Sequence, residues 1–107
     1  MVNAELSKTM NMESLYENAE RASNLLRIMS NHSRLLILCH LAQNEMSVHE
    51  LADVVGLSQS GLSQHLAILR RERLVQTRRE AQSIFYSLAS EEASAVMQTL
   101  YELYCKD

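Results

Sequence analysis

Residues 47–88 change periodicity twice, and few folds accommodate that order. Ser47 opens the segment with a hydroxyl, and Glu50 follows three residues later, the capping-box spacing that starts a helix. Val48, Leu51, Val54 and Val55 then recur at helical spacing and are predicted to face inward. Gly56 ends that run, where a left-handed residue costs least. Ser58 caps a further helix over about residues 58–71, with Leu62, Leu66 and Leu69 as its buried stripe. After Arg73 the pattern turns β-rich. Residues 74–78 and 83–88 read as two strands of a hairpin, separated by Arg79-Glu80-Ala81-Gln82.

The flanks are helical. From about Ser14, the positions Leu15, Ala19, Ala22, Leu25, Leu26 and Met29 step by three and four along one face. Asn31 or Ser33 can cap a second helix over about 32–43, which is apolar on most sides and belongs at the centre of the domain. Ser90 caps a last helix over about 90–105, with Ala93, Val96, Met97, Leu100 and Leu103 apolar. Residues 1–12 read as a flexible arm and 13–107 as a single domain. The chain has no proline and two glycines, too few turn residues for a sandwich or barrel. The order ααααββα is mainly α with a β-hairpin wing, a winged helix-turn-helix.

The 58–71 helix also indicates a function. Opposite its leucines it offers Ser58, Gln59, Ser60, Ser63, Gln64 and His65, short donors and acceptors with almost no charge. A merely solvated face usually carries Glu and Lys, whereas Gln and Ser near a helix N-terminus can read base edges. Arg70, Arg71 and Arg73 lie at the helix end, and Arg78 and Arg79 are expected at the hairpin tip, placed to meet phosphates. Residues 56–88 carry a net charge of +3, from five arginines against two acids, while the other 74 residues carry −6. A basic island on an acidic body is an electrostatic footprint for double-stranded DNA. No nucleophile elbow, phosphate-binding loop or paired carboxylates point to an enzyme. No apolar stretch reaches the length of a membrane span, there is no signal-peptide h-region, and a cytoplasmic chain is expected, with its two cysteines as thiols.

The run Ser47-Val48-His49-Glu50-Leu51, Gly56 to Leu66, Leu69-Arg70, Leu74-Val75, Arg78-Arg79, Gln82 and Phe85-Tyr86 resembles the ArsR/SmtB family of bacterial repressors. The likeness covers about residues 20–105, and its Leu-Ser-Gln-Ser-x-x-Ser-Gln-His-Leu stretch is highly specific. The resemblance adds Ser47 and Gln82 to the DNA-facing set. It implies a homodimer joined through the first and last helices, reading an imperfect palindrome and releasing it on a signal. The amphipathic first and last helices agree, and a two-fold dimer suits two half-sites one helical turn apart.

Metal-sensing members of that family use cysteines in the third helix or Asp, His and Glu on the last. Those positions are Ser47 and His49, and Ser90, Glu92, Leu103 and Lys106, so neither metal site is retained and no cofactor is expected. The remaining candidates are Cys39 and Cys105. Taken alone, Cys39 in its Ile-Leu-Cys-His-Leu run fits a small buried hydrophobe, and Cys105, near the end of the sequence, fits a partly exposed thiol. Their placement resembles the branch of HlyU, BigR and SqrR regulators, where such a pair is a dithiol switch for reactive sulfur. Two alternatives stay open: a constitutive DNA-binding regulator, and a metal-responsive repressor with an unusual site built from Cys39, His40 or Cys105.

Overall fold

The computed structural model describes residues 10–106. Residues 1–9 of the expected arm lie outside the described residues. Helix α1 spans Met12–Met29, capped by Asn11, whose side chain accepts from the Glu13 and Ser14 amides. Helix α2 spans His32–Gln43, with Asn31 rather than Ser33 as its cap. A two-residue strand β1, Met46–Ser47, leads into α3, Val48–Val55. Helix α4 spans Gln59–Arg71, strands β2 and β3 span Val75–Glu80 and Ser83–Leu88, and α5 spans Glu91–Tyr104.

The caps follow local chemistry. Ser47 Oγ accepts from the Glu50 amide at 3.2 Å while Glu50 Oε1 accepts from the Ser47 amide at 2.9 Å. Gly56 closes α3 at a φ of 79°, and Ser58 and Ser90 cap α4 and α5. The end of α4 needs no glycine. Arg73 adopts a φ of 67° while its amide bonds to the Arg70 carbonyl and the Leu74 amide to the Leu69 carbonyl. This is a Schellman closure, and the accompanying apolar contact is supplied by Leu69 and Leu74, both buried.

The core gathers at α2, as its apolar run predicts. Ile37 and Leu38 are fully buried, together with Leu51 of α3 and Leu62 and Leu69 of α4. Burial of each such side chain contributes roughly 1.5–3 kcal/mol. Ala93 and Met97 bring α5 onto this centre, and Ile28 and Met29 bring the end of α1. Val54 departs from the inward reading and is 49% exposed. Leu51 and Val55, four residues apart, take the inward position, and Val54 lies about a hundred degrees of helix rotation from Val55. Along the outer helices, Leu15, Leu26 and Leu103 of the expected inner stripes are also exposed.

The sheet has the order β1-β3-β2, antiparallel throughout. The register pairs Val75 with Leu88 at the base of the hairpin and Glu80 with Ser83 at its tip. Leu74 and Val75 are buried in the core, so the base is anchored and the distal half projects as a wing. The expected four-residue connection shortens to a two-residue turn, Ala81-Gln82, with Ala81 at a φ of 56°. Arg78 and Arg79 therefore lie within β2 and not at the tip. Strand β1 was not legible, because two residues carry no period. Its pairing of Met46 with Tyr86 and Ser47 with Phe85 fastens the start of α3 to the wing.

Candidate nucleic-acid interface

Helices α3 and α4 meet through the Gly56-Leu57-Ser58 turn, and α4 turns its leucine stripe inward. On its opposite side Ser60, Gln64, Ala67 and Arg71 follow one another at steps of three and four, with Ser63 beside them, all exposed. Gln59 is exposed at the first turn. Ser58 is exposed too, but its Oγ accepts from the Gly61 amide at 3.1 Å, so it acts first as a cap. Ser47 is half-buried and its hydroxyl is likewise used in the capping box.

His65 was expected on the exposed face and is half-buried instead. Its Nδ1 lies 3.5 Å from Arg34 Nη1 of α2. Arg34 is a residue that the sequence did not single out. Its Nε donates to the Ile28 carbonyl at 2.7 Å, at the end of α1. One guanidinium thus ties together α1, α2 and the face of α4. A lone arginine at the start of a helix carries no sequence signal for that role.

The cations around α4 differ in their freedom. Arg70 is exposed at the end of α4, and Arg71 beside it lies 3.7 Å from Glu72 with most of its side chain in solvent. Arg79 and Gln82 are exposed on the wing, and among the described residues Arg79 makes no ion pair. Arg78 is held on several sides. Its Nε donates to Glu45 at 2.8 Å, its Nη1 donates to Glu80 at 3.0 Å, and its guanidinium sits 4.8 Å from the centre of the Phe85 ring. Hydrogen bonds to Glu45 and then Glu80 hold this guanidinium more firmly protonated than an ordinary arginine. The carboxylates neutralise it locally, so it braces the wing against Glu45, in the connection between α2 and β1.

The two thiols lie on helices that pack together, Cys39 on α2 and Cys105 at the end of α5. Both residues are exposed, so Cys39 is not the buried hydrophobe that its apolar run suggested. It lies on the side of α2 away from Ile37, Leu38 and Leu41. Partial desolvation by its surroundings pushes the Cys39 thiol up, and the charge of Cys105 pushes it further in the same direction. Among the described residues, no three His, Cys, Asp or Glu side chains gather as a metal site. No helix among them is long and apolar enough to cross a membrane.

Comparison with known proteins agrees with this architecture. Residues 31–77 match the family described as "Bacterial regulatory protein, arsR family". The chain is 52% identical over 97 residues to the transcriptional activator HlyU of Vibrio cholerae, covering 91% of this chain and 90% of that protein. The structure of reduced HlyU from Vibrio cholerae superposes with a TM-score of 0.82 at 52% identity, covering 87% of this chain and 98% of that one. The transcriptional repressor BigR from Xylella fastidiosa superposes with a TM-score of 0.85 at 37% identity, covering 92% of this chain and all of that one.

Proposed function

Because this chain belongs to the arsR family of bacterial transcriptional regulators, DNA-binding proteins that are not enzymes, we propose that it is a cytoplasmic homodimeric repressor switched by a Cys39–Cys105 dithiol. The observation that carries this reading is the pairing of an uncharged polar face on α4 with two exposed thiols on the packed helices α2 and α5. Ser60, Ser63, Gln64 and Gln59 read base edges in the major groove, and Gln can pair with adenine in a bidentate way. Arg70, Arg71 and Arg79, with Gln82 at the wing turn, meet the phosphates beside it. Arg78 orients the wing.

The dimer places two such faces on an imperfect palindrome. Its support is the surface of the outer helices. Among the described residues, every exposed large apolar side chain except Val54 and Ile84 lies on α1, on α5 or just before α1. Tyr16 is 78% exposed and Tyr104 81%, well beyond what scattered surface residues require.

The switch uses reactive sulfur as inducer. A sulfane-sulfur donor passes one sulfur atom to a cysteine thiolate, giving a persulfide. The second thiolate attacks the inner sulfur, which closes a Cys39–Cys105 disulfide and expels hydrosulfide. That bond tethers α5, part of the dimer face, to α2 behind the reading helix. A tenfold loss of operator affinity needs only about 1.4 kcal/mol.

The test is operator binding by reduced protein, repeated after polysulfide, peroxide and zinc treatment, with intact mass recorded. Reduced protein should bind as a dimer, and polysulfide should cut affinity tenfold or more with an intramolecular bridge formed. If Cys39→Ser and Cys105→Ser lose affinity on polysulfide as the unmodified chain does, the dithiol is not the switch. Release by zinc alone, abolished in the same variants, would support the metal-responsive alternative.

A further inference from the structure

His49 is exposed on the first turn of α3, and its Nδ1 lies 2.9 Å from Gln59 Nε2 at the start of α4. The reading of α4 as the base-contacting helix gives no role to His49, and nothing in the packing requires it, since both side chains are in solvent. We propose that His49 is a positioning residue that fixes the orientation of the Gln59 amide and so determines its base preference. This rests on the proposed reading of base edges by α4.

In the arrangement seen here Gln59 Nε2 faces the ring, so the amide donates and Nδ1 accepts, as in the tautomer with its ring hydrogen on Nε2. One of the two amide hydrogens of Gln59 is then used by His49. Oε1 and the second N–H remain, in a fixed order along the amide edge. An acceptor beside a donor in defined order is what adenine requires, with its N6 hydrogens and its N7 acceptor in the major groove. A free glutamine amide turns over readily about its last torsion, which is broad and roughly two-fold. The swap exchanges donor and acceptor and removes the match. In that tautomer His49 holds one orientation before DNA arrives and adds specificity without contacting the base.

The experiment is selection from a randomised double-stranded DNA library, with binding then measured to each single base-pair variant of the preferred site. Wild type is compared with His49→Ala, His49→Phe, His49→Asn, Gln59→Ala and the double variant His49→Ala/Gln59→Ala, with a melting temperature for each. His49→Phe keeps a ring without an acceptor, and His49→Asn restores an acceptor close to the position of Nδ1. Loss of a bidentate match should lower the preference at one base pair about fivefold or more in His49→Ala and His49→Phe. Gln59→Ala should lose preference at that same base pair, the double variant should match Gln59→Ala, and His49→Asn should retain the wild-type preference. The proposal fails if His49→Ala and His49→Phe keep the wild-type preference. It fails too if the change falls at a different base pair from that of Gln59→Ala, or if His49→Asn behaves like His49→Ala. In those cases selective binding by wild type leaves the reading of α4 standing. A wild-type protein that selects no sequence removes that reading and this proposal together.

Discussion

Arg79 and Arg78 are neighbours on β2 with the same charge, yet their surroundings differ, and so do the roles proposed for them on DNA. Arg79 is exposed and among the described residues makes no ion pair, whereas Arg78 is shared between Glu45 and Glu80. Each phosphate contact adds about 0.9 to the slope of log affinity against log salt on duplex DNA. A dimer loses two such contacts in Arg79→Ala, so its slope should fall by about 1.8. Between 50 and 200 mM salt, the affinity advantage of wild type over Arg79→Ala should therefore shrink by about twelvefold. Arg78→Ala removes a cation already matched by two carboxylates. It should weaken binding by loosening the wing while leaving the slope close to that of wild type. Fluorescence anisotropy on a labelled operator over that salt range measures both. Parallel lines for wild type and Arg79→Ala, or a larger slope change in Arg78→Ala than in Arg79→Ala, would refute the assignment.

Two further predictions concern strain and the thiols. Ala81 holds a φ of 56° in the wing turn, a conformation that costs an L-residue roughly 1–2 kcal/mol. Ala81→Gly should raise unfolding stability by about 0.5–1 kcal/mol after the extra flexibility of glycine in the unfolded chain is offset, and urea titration should show a higher midpoint with the same slope. An unchanged midpoint would mean that the turn is relaxed. For Cys39, partial burial and then the nearby Cys105 charge push the thiol up, so less thiolate is present at neutral pH than in an ordinary cysteine. Iodoacetamide should modify Cys39 more slowly near neutrality than it modifies a short peptide thiol, with the rise in rate displaced to higher pH. Cys105→Ser removes the charge but not the burial, so the profile should move part of the way back to lower pH. A profile that Cys105→Ser leaves in place would mean that the sulfurs do not sense each other.

The parts of this fold legible in the sequence are those set within one turn of chain. The Ser47–Glu50 box, Ser58 and Ser90 each act on amides a few residues away, Gly56 donates its own amide to the Ala52 carbonyl, and each stands where the sequence places it. The leucine stripe of α4 is equally local, and Leu62, Leu66 and Leu69 are buried. What escaped depends on partners distant in sequence. Arg34 meets His65 across 31 residues, and Arg78 meets Glu45 across 33. The closure at Arg73 was hidden because contacts made by Leu69 and Leu74 hold a left-handed residue that is not glycine.

A periodic apolar stripe shows that a face requires cover, but not what covers it. On α1 the stripe predicted an inner face, yet only its end is buried, at Ile28 and Met29. On α5 the inward residues are Ala93 and Met97, while Tyr101, Leu103 and Tyr104 stay exposed. The last of these adjoins Cys105, whose amide closes the helix on the Tyr101 carbonyl at 2.8 Å. The apolar surface proposed to pair two protomers and the thiol proposed to sense sulfur therefore occupy the same last turn. Any shift needed to join Cys105 to Cys39 would fall on that turn, because Cys39 sits on α2, whose Ile37 and Leu38 are buried in the core. The cost of the bond would thus fall on the outer end of α5 and, in the proposed dimer, on the spacing between the two α4 faces. The proposed switch needs no second bistable element in this chain, because the covalent change would act directly on the surface proposed to set dimer geometry.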